Sequence, residues 1–314
     1  MVCPEGNGWE AEIASVAVYS TGGSLSCTGA MINDAESSGT PFFLTANHCG
    51  VRNSNAASVV AYWNYQSSTC VPGSTSGDGP LNQFTTGATH LMSSSNSDVT
   101  LIRLNDQPDP AYEVTWSGWD RSGNDATTAV AIHHPSTDEK RISFEYDTTT
   151  ISGYFGSGDT HVRVADWDKG TTEPGSSGSP LFDQNHRIIG QLHGGSAACG
   201  NNLEDYYGRF FKSWTAGLAQ YLDPVSIIIL FIVRRLSYAV TEKSHTLHYS
   251  FLYPQFIQNN TGKITVDTLG AVTTTPTMSP KPTQAPTSLS ACLGDPSNVA
   301  VQVDVTTDVS DLML

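Results

Sequence analysis

Thr171-Thr172-Glu173-Pro174-Gly175-Ser176-Ser177-Gly178-Ser179-Pro180 is the stretch on which the reading of the whole chain turns. Its small residues and two glycines suit a tight turn in which backbone amides point inward around one exposed hydroxyl, because glycine adopts backbone angles closed to other residues. An acyl-transfer nucleophile and its oxyanion site need that geometry. Ser177 is the candidate nucleophile, with the amides of Gly175 and Ser177 as the oxyanion donors. Runs of Gly and Ser are more often plain loops, so the case rests on what accompanies this one.

Two further stretches accompany it. In Pro41-Phe42-Phe43-Leu44-Thr45-Ala46-Asn47-His48-Cys49-Gly50 an apolar strand runs into a His beside a Cys, which puts the imidazole at a strand end where it can reach another segment. In Asn96-Ser97-Asp98-Val99-Thr100-Leu101-Ile102-Arg103-Leu104 a carboxylate leads into a buried-looking strand and belongs at the edge of the core. Alone, such a His is usually structural and such an Asp a turn residue or cap. Together, His48, Asp98 and Ser177 stand in that order, 50 and 79 residues apart.

The background is all-β. Short β-branched and aromatic runs recur at 13–19, 59–65, 99–104, 129–133, 161–164 and 187–192, separated by turn clusters such as Thr21-Gly22-Gly23-Ser24 and residues 73–80. A helical period emerges only between Trp214 and Leu222, where Trp214, Leu218, Tyr221 and Leu222 share a face. The order His, Asp, Ser on such a pattern is that of chymotrypsin-type double barrels and differs from the subtilisin and α/β-hydrolase orders. The expected fold is two antiparallel β-barrels with a short C-terminal helix. Residues 1–110 form the first barrel, with His48 and Asp98, and 111–224 the second, with Ser177 and the specificity pocket.

Composition sets the surroundings. Fifteen Lys and Arg against thirty Asp and Glu give a net charge of -15, which argues against nucleic acid or an anionic membrane as partner and would draw in cationic substrates. The same acidity also serves to keep an exported protein soluble. Six cysteines with no C-x-x-C pair point to an oxidising compartment rather than to zinc or redox chemistry, and no metal or cofactor is expected. Met1-Val2-Cys3-Pro4 has neither a basic n-region nor an apolar h-region, so a secreted protein with a truncated or trimmed start is expected.

From Cys3 to Pro224 the chain resembles the lysyl endopeptidases, a Lys-specific branch of the chymotrypsin-like serine proteases. The resemblance lies in Val2-Cys3-Pro4-Glu5-Gly6, residues 43–50, Tyr62-Trp63-Asn64-Tyr65-Gln66, Ser117-Gly118-Trp119-Asp120-Arg121 and Ala131-Ile132-His133-His134-Pro135. It continues through residues 172–180, Gly190-Gln191-Leu192-His193-Gly194-Gly195 and Tyr207-Gly208-Arg209. It implies a secreted, monomeric serine endopeptidase without a membrane span that cleaves proteins or peptides on the carboxyl side of Lys. Ser177 would attack the scissile carbonyl, His48 would move the proton and Asp98 would hold the imidazole tautomer. A trypsin-like cleavage after both Lys and Arg is the alternative, and a non-catalytic protease-like binding protein the rival class.

Selectivity requires a carboxylate at the base of the pocket. Trypsin-like enzymes place it six residues before the nucleophile, where this chain has Thr171. The resemblance puts it at Asp205, with Glu204 as the adjacent rival. An acid set deeper favours the compact ammonium over the wide guanidinium fork. His193 and Gly194 occupy the segment that, by resemblance, pairs with the substrate backbone. The family's His stacks there on a tryptophan, and the matching position here is Tyr154, beside Phe155. Lys140, Lys169 and Lys212 are the only lysines before residue 224, a scarcity that limits autolysis by a Lys-cutting enzyme.

Cys27 and Cys49 should bridge across the His loop, worth about 3 kcal/mol of loop entropy, and the family implies a second pair, Cys3 with Cys70. Cys199 is left over: its family partner lies upstream of the position that Met1 occupies, and Cys292 is the other candidate. Beyond Pro224, Val225 to Val233 is an apolar run of nine residues, too short to span a membrane, within an anomalous segment 225–264 read as an insertion or as an interfacial helix. Asn259-Asn260-Thr261 is a glycosylation acceptor if exported. Residues 265–290 read as a Thr/Pro-rich linker and 291–314 as a fragment of a second module.

Overall fold

The computed structural model describes residues 3–70, 79–223 and 263–270. Strand formation follows the β-branched and aromatic runs. Seven strands, Val16–Thr21 (β1), Ser24–Met31 (β2), Phe42–Ala46 (β3), Val60–Tyr62 (β4), Phe84–Thr86 (β5), Ala88–Ser94 (β6) and Val99–Leu104 (β7), make one antiparallel sheet in the order β5-β4-β1-β2-β3-β7-β6. The second sheet is built from Trp119–Asp120 (β8), Ala129–His133 (β9), Arg141–Glu145 (β10), Thr150–Gly153 (β11), Gly156–Val164 (β12), Pro180–Asp183 (β13), Ile188–Gly195 (β14), Asp205–Arg209 (β15) and Thr265–Val266 (β16). Its main path runs β10-β9-β13-β14-β15-β12-β11, with β8 and β16 added at β14. The expected all-β architecture is therefore present, as two half-barrel-like, mostly antiparallel sheets, the one parallel pair among the named strands being β8 with β14.

Three hydrophobic clusters hold it together. One fills the first sheet around Tyr19, Phe43, Trp63 and Trp116, and one fills the second around Trp167, Leu181 and Tyr207. The third lies between the sheets: Val16, Leu44 and Leu101 meet Ile132, Phe182, Ile188 and the C-terminal helix residues Phe210, Trp214, Leu218 and Leu222. The two sheets are thus sealed by a shared core, and the seam between them has a fixed geometry.

Two local readings shift. The run 13–19 is not all strand: Glu10–Ser15 forms a short helix (α1), favoured by two acids in its first turn, and β1 begins at Val16. The C-terminal helix is interrupted: Phe210–Ser213 (α2) and Ala219–Leu222 (α3) flank a π-helical turn, Trp214–Leu218, in which Gly217 takes φ 149°. Trp214, Leu218 and Leu222 are buried as their spacing predicts, while the half-buried Tyr221 donates its hydroxyl to Leu91 O at 3.0 Å.

The two cystine bridges form between the expected partners, Cys3–Cys70 and Cys27–Cys49, and Cys199 is an exposed free thiol among the described residues. Residues 225–262, including the apolar run and the Asn259 acceptor, lie outside the described residues, as do Cys292 and the rest of 271–314. The linker does not begin at Thr265. There β16 pairs with β8, Val266 enters the shared core, and Leu269 exchanges two backbone hydrogen bonds with Trp116. Arg187 clasps Asp267 Oδ1 with Nε and Nη2 at 3.1 and 2.7 Å. No helix of the described residues is long and apolar enough to cross a membrane.

Candidate active site

His48 follows β3 by two residues, and Asp98 immediately precedes β7, which pairs with β3 up to Ala46↔Val99. That register brings the two side chains together. His48 Nδ1 lies 2.6 Å from Asp98 Oδ2, and the His48 amide donates to Oδ1 at 2.8 Å. Asp98 is 2% exposed and sits at φ 51°, a left-handed conformation that Asp tolerates better than most residues. The second sheet and the C-terminal helix grip this turn: Gln191 Nε2 of β14 donates to Ser97 O at 2.7 Å, and Ser213 Oγ of α2 donates to Ser97 Oγ at 2.8 Å.

Ser177 arrives from the other sheet on the Gly/Ser turn. Thr28 N donates to Ser177 O at 2.9 Å and Thr28 Oγ1 to Gly175 O at 2.8 Å, tying the turn to β2. Gly178, at φ 81°, is pressed so closely on the first sheet that a Cβ would lie 2.3 Å from Thr45 Oγ1 and 2.8 Å from Ala46 N. The turn is thereby seated beside the end of β3, which leads into His48. No hydrogen bond joins Ser177 Oγ to the imidazole among the described residues; such contacts commonly tighten only when substrate is bound.

Inside the turn most amides are satisfied. Ser176 N donates to Glu173 O, Gly178 N to Leu192 O, and Ser179 N to Ser176 O. The amides of Gly175 and Ser177 donate to no acceptor among the described residues, so both remain available to an oxyanion. Sequence reasoning missed the brace beneath. Fully buried His133, held down to about 3 by desolvation, is neutral and bridges Ser176 Oγ at 2.8 Å and Ser143 Oγ at 3.1 Å. Ser143 Oγ then donates to Thr171 O, so the turn is braced at its start and at the residue before Ser177.

Asp205 opens β15 opposite Gly195 of β14 and Val164 of β12. It is 1% exposed, and burial pushes its carboxyl up to about 6. Oδ2 accepts from Trp167 Nε1 at 2.8 Å and Thr172 Oγ1 at 2.7 Å, while Oδ1 has no partner among the described residues. A Cβ on Gly195 would lie 2.4 Å from Oδ1, so only glycine leaves that oxygen approachable. The rival, Glu204, is half-buried and accepts from Ser196 Oγ at 3.2 Å. Trp167 and Thr172 had no assigned role in the sequence. Thr172 adjoins the position tested for a trypsin-like acid, and that neighbourhood was the only signal.

His193, on β14, stacks on Tyr154 with ring centroids 3.8 Å apart and planes 10° from parallel, in the place the resemblance implied. Its other side faces His48, at 5.4 Å between centroids, and its Nε2 lies 3.8 Å from Asp98 Oδ2. Gly194 beside it takes φ 145°, and a Cβ there would lie 3.4 Å from the Tyr154 hydroxyl. His48, Asp98 and His193 offer ligand atoms within 4.8 Å of one another. Both Asp98 oxygens already accept from His48, which makes this a hydrogen-bonded constellation first.

Two antiparallel sheets joined across a shared core, with a His–Asp pair and a Gly/Ser turn on their seam, define the chymotrypsin-like class of serine proteases. Residues 1–208 match the family model for the lysyl endopeptidase C-terminal domain, and the chain belongs to that family. Over 211 residues it is 29% identical to the lysyl endopeptidase of Pseudomonas aeruginosa PAO1; the match covers 65% of this chain and 45% of that protein, so the chain spans less than half the length of this curated relative. Among solved structures, the HtrA-type protease AlgW with a tripeptide matches 66% of this chain and 60% of its own at 15% identity and a TM-score of 0.46. Kallikrein-related peptidase 10 matches 67% of this chain and 96% of its own at 16% identity and 0.45.

Proposed function

We propose that the chain is a secreted serine endopeptidase that hydrolyses peptide bonds on the carboxyl side of Lys. Ser177 Oγ attacks the scissile carbonyl while His48 Nε2 takes its proton, and the same nitrogen later returns it to the leaving amine. Asp98 holds Nδ1–H and the charge that develops on the ring. The amides of Gly175 and Ser177 receive the oxyanion, and water then hydrolyses the acyl-enzyme. His193 and Gly194 line the substrate strand, with Tyr154 as backing.

The observation that carries this reading is the divided Asp205 carboxylate. One oxygen is spent on Trp167 and Thr172 and the other is buried and unpartnered among the described residues. An ammonium is a compact charge that one oxygen can satisfy, whereas a guanidinium prefers a bidentate carboxylate. Lys is therefore favoured over Arg by the same contacts that hold Asp205 in place. A fluorescent serine-directed phosphonate carrying a Lys side chain tests the reading. Labelling that disappears with Ser177→Ala supports it; a folded protein that does not react removes it.

A further inference from the structure

His161 takes no part in the reaction just proposed, yet it is joined to the catalytic seam. It lies on β12, is 2% exposed, and its Nε2 is 3.0 Å from His193 Nδ1. Its own Nδ1 is 2.8 Å from Thr160 Oγ1. Two imidazoles in N···N contact share a single proton between them when both are neutral. Burial supplies that condition, pushing His161 down to about 4 and lowering His193 as well.

The ends of the chain decide the direction of these bonds. Asp98 Oδ2 can only accept, and His193 Nε2 faces it at 3.8 Å. A lone pair pointed at the carboxylate is repelled and an N–H is attracted, so the His193 proton belongs on Nε2. His193 Nδ1 must then accept, His161 Nε2–H must donate, and His161 Nδ1 must accept from the Thr160 hydroxyl. The stack with Tyr154 fixes the plane of the His193 ring but cannot choose between its tautomers.

We infer that His161 is a positioning residue for proteolysis, which fixes the tautomer of His193 so that an N–H, and not a lone pair, is presented to the Asp98 carboxylate. The inference rests on the proposed role of Asp98. Without His161, His193 populates the Nδ1–H form, and the carboxylate that orients His48 loses a favourable dipole and gains an unfavourable one.

The test compares His161→Gln and His161→Phe in the full chain. Gln keeps an N–H donor at the end of its side chain; Phe keeps the ring and removes the donor. Nitrogen-15 NMR of labelled imidazoles reads the tautomer directly, whether or not the protein is active. The expected result is Nε2–H on His193 in the parent chain and in His161→Gln, a shift toward Nδ1–H in His161→Phe, and about a tenfold fall in kcat with unchanged KM for His161→Phe alone. A His193 tautomer that is unchanged in His161→Phe, or kcat losses equal in the two variants, overturns the inference. If the parent chain cleaves no peptide while the tautomers behave as expected, the proteolytic reading fails and the hydrogen-bond relay stands.

Discussion

Asp98 receives two hydrogen bonds from His48, one from the backbone amide to Oδ1 and one from Nδ1 to Oδ2, so the acid fixes both the main chain and the ring of its partner. Asp98→Asn replaces one of these acceptors with a donor while retaining a side chain suited to φ 51°. The expected outcome is a kcat loss on the order of 10⁴-fold with the fold retained, read by steady-state kinetics beside a thermal melt. Equal activity of parent and variant contradicts the assignment.

In the proposed pocket, the buried Asp205 carboxylate would set stability against activity. Its folded-state pKa is raised from 3.8 to about 6, so the native state holds this proton more tightly than the unfolded chain. The stabilisation is full below pH 4 and is lost as pH rises through 6, on the order of 3 kcal/mol in all. Asp205→Asn removes that dependence. Urea titrations at pH 4 and 8 are expected to show a smaller alkaline decrement from this group in the variant than in the parent, while kcat/KM for Lys substrates collapses by 100-fold or more, as an unpaired buried ammonium requires.

Gly178 cannot be replaced. Alanine there strains φ 81° and drives a Cβ into Thr45 Oγ1 and Thr28 O, whereas alanine at Gly8, φ 84°, meets nothing within 4 Å. Gly8→Ala isolates the backbone cost, about 1 kcal/mol. Gly178→Ala is expected to cost at least about 2 kcal/mol more in chemical denaturation, or to fold with the nucleophile turn displaced and inactive.

Acid should unfold this protein through its histidines. Burial pushes His133 to about 3, His161 to about 4 and His134 well below 6.5. With folded pKa values depressed, the unfolded chain binds more protons below pH 6.5, so stability falls from there toward the folded values. At pH 5 His133 and His161 each contribute a loss on the order of 2 kcal/mol, and His134 acts in the same direction, opposed by the smaller gain at Asp205. Unfolding free energies at pH 8 and pH 5 measure the difference, and a flat profile contradicts it.

The strand at 265–266 is part of the protease body. Val266→Asp places a charge in the shared core and is expected to cost about 3 kcal/mol or more, whereas Asp267→Ala, which removes an ion pair whose acid is 83% exposed, costs little. Thermal melts of the two variants discriminate this from a loose tether, which would tolerate both changes.

The sequence made the strands at 99–104 and 129–133 legible to the residue, because each is a β-branched run bounded by turn chemistry. The candidate His and Asp loops were legible because His48 follows β3 and Asp98 leads into β7, and the Gly/Ser turn because its two glycines mark a tight bend before β13. What stayed hidden depends on contacts between distant segments. Trp167 and Thr172 meet only at Asp205, His161 meets His193 only because β12 and β14 both pair with β15, and residues 265–270 read as linker because two strand residues carry no period. Helix α1 was missed because its apolar end continues into β1 without a break.

If the single unpartnered oxygen of Asp205 selects Lys, matched peptides differing only in Lys or Arg before the cleaved bond will be cut at very different rates. The expected result is a kcat/KM at least about 100-fold higher for Lys, loss of cleavage with Ser177→Ala, and collapse of the Lys preference with Asp205→Asn. Cleavage after Arg as rapid as after Lys would contradict it.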